Sequence, residues 1–489
     1  MRSGSTRRPR HCHRLATPWR LALALCLAAL CSGCLGTEPA PDLSQLYDRA
    51  ASHHGPERNP VVVIPGVLGT RLRHQPSDEL VWGAFFGGSL VDVDDAEGAH
   101  MIALPMRPET PLVELRDDVV PSGVLDTLKI RLIGLPFDLE AYVRILTTLG
   151  IGGYRDEQLA GSIDYGDGHF TCFQFEYDWR RDNVETARAL HDFLLEKRDL
   201  VAREIHERFG VETPQVKFDV IAHSMGSLPL RYLLRYGPDD LPDDGSEPVL
   251  DWQGAELIER AILVAPPNLG AVDSQIYLAQ GRRFAVVGPN YPAPLLGTYP
   301  ALYQLLPRPR HRAILDRDGA PIDVYDPEAW QRHGWGLAAS DADETLEKLL
   351  PTVDTPETRQ RIALDHLEKS LNRARRFAAA LDRPASPPEG LGIHLFAGDA
   401  EPTARVAQLA ARGRLRIVEH DWGDEQVLRS SALADERMDG RWTPSVRTPI
   451  GWSHVSFFFQ DHLGITRDPN FADNLLFLLL ESPRGAVGE

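Results

Sequence analysis

The chain has 489 residues, 43% hydrophobic and 25% charged, with a formal net charge of -18. That balance excludes a disordered or fibrous protein, and it argues against nucleic acid as a partner, because phosphate binding needs clustered Lys and Arg. The length allows several domains, but a single α/β core with insertions also reaches this size and is the expectation here. Acidic runs such as Asp92 to Asp95 read as solvated surface rather than as cation sites.

The first 34 residues read as an address. Arg2, Arg7, Arg8, Arg10, Arg14 and Arg20 precede an apolar run from Leu21 to Leu30, which is too short to span a membrane, and Ser32-Gly33-Cys34 follows. This layout resembles a bacterial lipoprotein signal with Cys34 as the lipidated first residue of an exported protein anchored to the outer membrane or cell envelope. A plain secretory peptide cut nearby is the alternative. Loss of the six arginines takes the formal charge from -18 to -24. Beyond the signal only Cys34 and Cys172 remain, so acylated Cys34 leaves no disulfide framework, and Cys172 reads as a buried small hydrophobe.

Residues 35–59, with Pro39, Pro41 and Pro56, read as a polar tether, and the body is expected over 60–482 with a tail at 483–489. Val61 to Ile64 is a continuous apolar run stopped by Pro65-Gly66, as expected of a strand buried on both faces of a parallel sheet. Further strands are expected at Cys172 to Tyr177, Val216 to Ile221, Ala261 to Ala265, Ile393 to Ala397, Leu415 to Val418 and Val455 to Phe459. Helices are expected at Asn183 to Phe209 before Gly210, at Leu228 to Tyr236, over 356–382 and at Phe471 to Leu480. Strands alternating with helices predict a mostly parallel α/β sheet. Two stretches, about 71–136 and 271–390, break the alternation and are expected to form a cap over the C-terminal edge of the sheet, where such folds bind ligands.

Val220-Ile221-Ala222-His223-Ser224-Met225-Gly226 carries an apolar strand into a serine between small residues and then into a helix. This is the nucleophile elbow of the α/β-hydrolase fold, in which the sharp strand-to-helix turn leaves no room for bulk two positions either side of the serine. Such an enzyme needs two backbone amides aimed at the developing oxyanion, and Met225 and Val67, the latter in Pro65-Gly66-Val67-Leu68-Gly69-Thr70, are the candidates. Gly423-Asp424 follows one late strand and Asp461-His462 another, giving the chain order Ser, Asp, His. His462 is then the base for Ser224, with Asp424 orienting its imidazole. Asp399 is a rival acid and His454 a rival base that begins the last strand instead of following it, while Asp421 and Asp461 read as surface or supporting groups.

These motifs, together with Gly153-Tyr154-Arg155-Asp156, Tyr177-Asp178-Trp179-Arg180 and Ala265-Pro266-Pro267-Asn268-Leu269-Gly270, resemble the lecithin:cholesterol acyltransferase family over most of residues 60–482. The resemblance implies a serine-dependent lipid acyl-ester hydrolase or O-acyltransferase, with Ser224, Asp424 and His462 as triad and Val67 and Met225 as oxyanion amides. It implies a lipid acyl-ester substrate, an alcohol acceptor where transfer occurs, a membrane or lipid surface, and no cofactor. It also implies a structural Asp178 and Arg180 bracing the elbow. The chain lacks the cysteines that bound the membrane-binding segment of eukaryotic members, and Trp82, Phe85 and Phe86 stand in that stretch, as lipid-facing or core aromatics alike. A soluble-ester esterase or thioesterase, and a non-catalytic lipid-binding lipoprotein on the same scaffold, are the rival readings.

Overall fold

The computed structural model describes residues 41–83, 91–124, 128–132, 135–139, 141–159, 170–283, 290–439 and 443–484. The expectations for the signal, Cys34, Phe85 and Phe86 lie outside these residues. The chain divides after Asp42, and the sheets, helices and site all belong to the unit from Leu43 onward.

Six strands form the central sheet: β1 (Val61–Ile64), β2 (Cys172–Gln174), β3 (Phe218–His223), β4 (Ile258–Val264), β5 (Gly392–Gly398) and β6 (His454–Phe458). Their spatial order is β6-β5-β4-β3-β1-β2, with every neighbouring pair parallel. The chain leaves β1 toward β2 on one side and returns to place β3 on the other. A crevice opens outside the carboxyl ends of strands at such a reversal, and β1 and β3 flank it.

Side chains alternate across each strand, so the sheet has two apolar faces. Val62 and Ile64 face one cluster together with Leu190 and Leu194 of α2 (Asn183–Phe209) and Leu230 and Leu233 of α3 (Ser227–Tyr236). Val61 and Val63 face the other, with Ile145 and Leu149 of α1 (Ala141–Ile151) and Phe471 and Leu475 of α5 (Pro469–Leu480). Helix α2 begins where the Asp182 carboxylate accepts the Val184 and Glu185 amides, and it stops at Gly210 with φ 69°.

Four expectations need correction. Leu415 to Val418 is a strand, Leu415–Gly423, but it pairs antiparallel with Glu401–Leu409 in a separate three-stranded sheet. Only its end residues Leu415 and Gly423 are buried, so its apolar pair Ile417-Val418 is a solvent-facing arm and not a core strand. The stretch 271–390 is not all insertion, since α4 (Pro356–Asp382) packs on α3, where Tyr236 donates its hydroxyl to Ala380 O at 2.7 Å and Arg231 donates to Leu381 O at 2.8 Å. It is the crossover helix that a parallel β4-to-β5 connection requires.

The tether is not free from Leu43 on. Tyr47 is buried and donates to Asp473 Oδ1 at 2.7 Å, while Arg58 stacks 4.2 Å over the Tyr154 ring. Gly153, at φ 76°, makes room for this segment, because a Cβ there would meet Ala51 O. At the other end Arg484 pairs with Asp219 at 2.9 Å, so the tail is docked through that residue. Trp82 is core, edge-on to Trp179 at 5.4 Å and to Tyr291 at 6.1 Å.

Three histidines are held neutral by burial, with the nearby charge of His462, Lys369 and Arg260 respectively adding to it: His223 is pushed down to about 3, and His366 and His394 to about 4. An unfolded histidine takes up its proton near pH 6.5, so between pH 6.5 and about 4 the unfolded chain binds more protons and stability falls as pH falls. The urea midpoint is therefore expected to hold above pH 7 and to drop steadily from pH 6.5 to 5, less steeply in His366→Gln. A flat midpoint across that interval would contradict the assignment.

Candidate active site

β3 runs into Ser224 at its carboxyl end, and the chain turns at once through Ser224–Gly226 into α3. The reversal holds Ser224 at φ 52°, a left-handed conformation that a non-glycine residue keeps only under constraint. Its neighbours must be small: a Cβ on Gly226 would meet the Pro65 carbonyl, and one on Gly66 would lie 2.8 Å from Ser224 Cβ. Register explains the closeness, since Ile64, the last residue of β1, lies opposite Ala222, one residue before the end of β3. Leu68 and Glu425, at φ 65° and 78°, line the same cavity as Ser224, so local strain gathers where the chain converges on it.

His462 follows β6 and Asp424 follows the exposed arm. The His462 Nε2 lies 2.9 Å from Ser224 Oγ, and its Nδ1 lies 2.8 Å from Asp424 Oδ2. Asp424 is itself fixed, its Oδ1 accepting the Val427 amide at 2.7 Å and the Gln426 amide at 3.1 Å. With a carboxylate on one ring nitrogen, Nδ1 carries the hydrogen and Nε2 presents its lone pair to the serine hydroxyl. Backbone closes the unit, since the His462 amide donates to Asp424 O at 2.9 Å.

The other candidates stand elsewhere. His454 is exposed and hydrogen-bonds Ser456 at 2.9 Å. Asp399 pairs with Arg429 at 3.4 Å, and Asp421 accepts the Trp422 amide. Asp461 lines the cavity but caps the turn after His462, accepting the Leu463 and Gly464 amides.

Val67 lies in the loop after β1 and lines the cavity beside Ser224. Its amide has no acceptor among the described residues. Met225 is fully buried in the first turn after the strand, where amides have no partner within their own helix.

The cavity has a volume of about 320 Å³. Among the described residues its apolar wall comes from the second insertion, chiefly Tyr291, Leu296, Tyr299, Leu302 and Leu305, and from Trp179. The described part of the first insertion contributes no lining and packs behind, through Trp82. The Tyr-Asp-Trp-Arg segment therefore has a different task from bracing the elbow. Arg180 binds Asp178, Asp117 and the Ile102 carbonyl, tying the segment after β2 to the first insertion, while Tyr177 and Trp179 reach the two ends of the oxyanion loop by donating to Pro65 O at 2.9 Å and Thr70 O at 3.2 Å. Asn268 is also structural, fully buried between Arg231 and the Ala432 carbonyl.

Sequence reasoning missed Tyr142, which touches the site through Gly66 and His223. His223 stands within the elbow motif, but nothing adjacent to Tyr142 marks it.

Strand order, the serine turn at the carboxyl end of β3 and the delivery of acid and histidine from later strand ends define an α/β-hydrolase fold. No protein-family model matches the chain, and no curated protein matches it. Among solved structures it is similar to a chain of the Tle4-Tli4 complex, at 14% identity over 87% of this chain and 99% of that one, with a TM-score of 0.49. It is also similar to the product of gene lin2722 from Listeria innocua, at 10% identity over 88% of this chain and 96% of that one, with a TM-score of 0.25.

Proposed function

We propose that the protein is a serine-dependent lipid acyl-ester hydrolase or O-acyltransferase, similar to the lecithin:cholesterol acyltransferase family and working through an acyl-enzyme on Ser224. The observation that carries this reading is His462, hydrogen-bonded at once to Ser224 Oγ and to Asp424. His462 Nε2 takes the serine proton as Oγ attacks the ester carbonyl carbon, and the Val67 and Met225 amides hold the resulting oxyanion. The proton passes to the leaving oxygen, the ester bond breaks, and the acyl group stays on Ser224. Water or an acceptor alcohol, deprotonated in turn by His462, then attacks the acyl-enzyme and regenerates the serine.

A lipid substrate is supported by the apolar cavity wall. At about 320 Å³ it is roughly twice the cavity that takes one benzene ring, room for a single acyl chain of about a dozen carbons. Trp422, two residues before Asp424, and Phe459, three before His462, are 60% and 84% exposed, which suits contact with a lipid surface better than the buried Trp82 does. Phospholipid labelled in its acyl chain, offered with and without a sterol or diacylglycerol, tests the reading. Labelled fatty acid identifies a lipase, and labelled acceptor ester a transferase. Neither product, with hydrolysis of a water-soluble ester retained, would establish the esterase or thioesterase instead.

Export with anchoring through acylated Cys34 belongs to the same proposal, supported by the arginine-rich start, the short apolar run and Ser32-Gly33-Cys34. Cys34→Ala is expected to move the protein from the membrane to the soluble fraction. Unchanged membrane retention would overturn the lipoprotein anchor.

A further inference from the structure

We propose that Tyr142 and His223 are positioning residues that lock the oxyanion loop to the backbone of the base, so that Val67 N–H and His462 are set in register before substrate arrives. This deepens the Ser224 reading and rests on it.

Three hydrogen bonds form one chain through the floor of the site. The Gly66 amide donates to Tyr142 Oη at 2.7 Å, Tyr142 Oη lies 3.2 Å from His223 Nδ1, and His223 Nε2 lies 3.1 Å from the His462 carbonyl oxygen. Only one arrangement of hydrogens satisfies all three. A carbonyl accepts and cannot donate, so His223 Nε2 carries the ring hydrogen and Nδ1 is left with a lone pair. Tyr142 therefore gives its single hydroxyl hydrogen to His223 and uses its oxygen to accept from Gly66. Every polar atom of the pair is used, and both side chains are buried, at 8% and 2% exposure.

The neutral state this requires is the one burial imposes, since the His223 ring is pushed down to about 3 by burial and then by the charge of His462. His223 thus stays uncharged while His462, whose ring centre is 5.0 Å away, takes up the serine proton. A charged His223 would repel that cation in a site of low dielectric.

The chain joins elements far apart in sequence. Gly66 immediately precedes Val67, so fixing the Gly66 amide sets the peptide plane from which the oxyanion donor follows. The His462 backbone is held at both ends, its carbonyl by His223 and its amide by Asp424 O at 2.9 Å. Gly69 of the same loop packs closely on Tyr142, since a Cβ there would stand 2.8 Å from its hydroxyl. No proton moves along this chain during the reaction. Its effect is on placement, and misplacing an oxyanion donor costs less than the roughly 100- to 1,000-fold seen when one is removed outright.

The test uses the full-length protein, a p-nitrophenyl ester and a trifluoromethyl ketone, which adds to the serine as an oxyanion. Tyr142→Phe is expected to lower kcat by about 10- to 100-fold with KM changed less than about twofold. The inhibition constant of the ketone should rise by the same factor as kcat/KM falls, a correlation that a merely structural residue does not produce. His223→Asn keeps an acceptor for Tyr142 but loses the donor to His462 O, and the same loss in kcat is expected of it; it carries the test if Tyr142→Phe does not fold. Wild-type kcat in both variants, or a fall in kcat with ketone affinity unchanged, would overturn the inference while leaving the nucleophile in place. A wild type that a fluorophosphonate does not label would remove Ser224 as nucleophile and the inference with it.

Discussion

Ser224→Ala is expected to lower kcat/KM for ester hydrolysis by about 10⁴-fold or more, to abolish fluorophosphonate labelling, and to change stability by less than about 1 kcal/mol. The small stability effect follows from the geometry: the left-handed φ of 52° is imposed by the elbow whichever small residue occupies it, and among the described residues the serine hydroxyl hydrogen-bonds only to His462. Asp424→Asn is the sharper companion. Asp424 Oδ1 already accepts two backbone amides, so the single oxygen of an asparagine is drawn to them and its NH2 faces His462 Nδ1. That ring nitrogen must then accept, which moves the imidazole hydrogen to Nε2, toward Ser224. A base with its hydrogen on the wrong nitrogen cannot take the serine proton, and about 10⁴-fold in kcat is the scale of that fault. Ser224→Ala retaining more than about a hundredth of wild-type hydrolysis would sink the nucleophile assignment.

Five strands of the central sheet were legible because each is a largely apolar and buried run, the edge strand β6 being only partly buried, and α2 because Asp182 and Gly210 mark its ends. The order Ser224, Asp424, His462 was legible for the same reason: strand ends announce themselves by the turn residues that come after them. What could not be read locally was which sheet a strand joins. Leu415 to Val418 has the β-branched content of a core strand, yet pairing and burial are decided by distant partners, and its partner is Glu401–Leu409. Residues 43–59 have a linker's composition, and two side chains, Tyr47 and Arg58, nevertheless dock them. Tyr142 has no local mark at all, because a tyrosine on an amphipathic helix reads as core, and its hydroxyl acquires a partner only when Gly66 and His223 are brought beside it.

Arg180→Met is expected to destabilise the protein by about 3–5 kcal/mol, the cost of leaving buried carboxylates without their cation. Arg180 is fully buried, and all five of its N–H groups are directed at acceptors. Nε and Nη2 grip Asp178 at 2.9 and 2.7 Å, Nη2 also reaches Asp117 at 2.7 Å, and Nη1 donates to the carbonyls of Ile102 and Ala103 at 2.9 and 3.4 Å. Lysine offers three donors from one point and cannot reproduce that fork, so Arg180→Lys should lose much of the same stability. The loss is one of compensation rather than of attraction, which gives the prediction its check. Adding Asp117→Asn and Asp178→Asn to Arg180→Met removes the stranded charges and should recover part of the deficit in urea denaturation. Catalysis should suffer along with folding, because neighbouring Trp179 lines the cavity and donates to Thr70 O at 3.2 Å, so loosening this joint shifts the wall that faces Ser224. An Arg180→Met variant within about 1 kcal/mol of wild type, or a triple variant no more stable than the single one, would show that the buried cation does not hold the first insertion to the sheet.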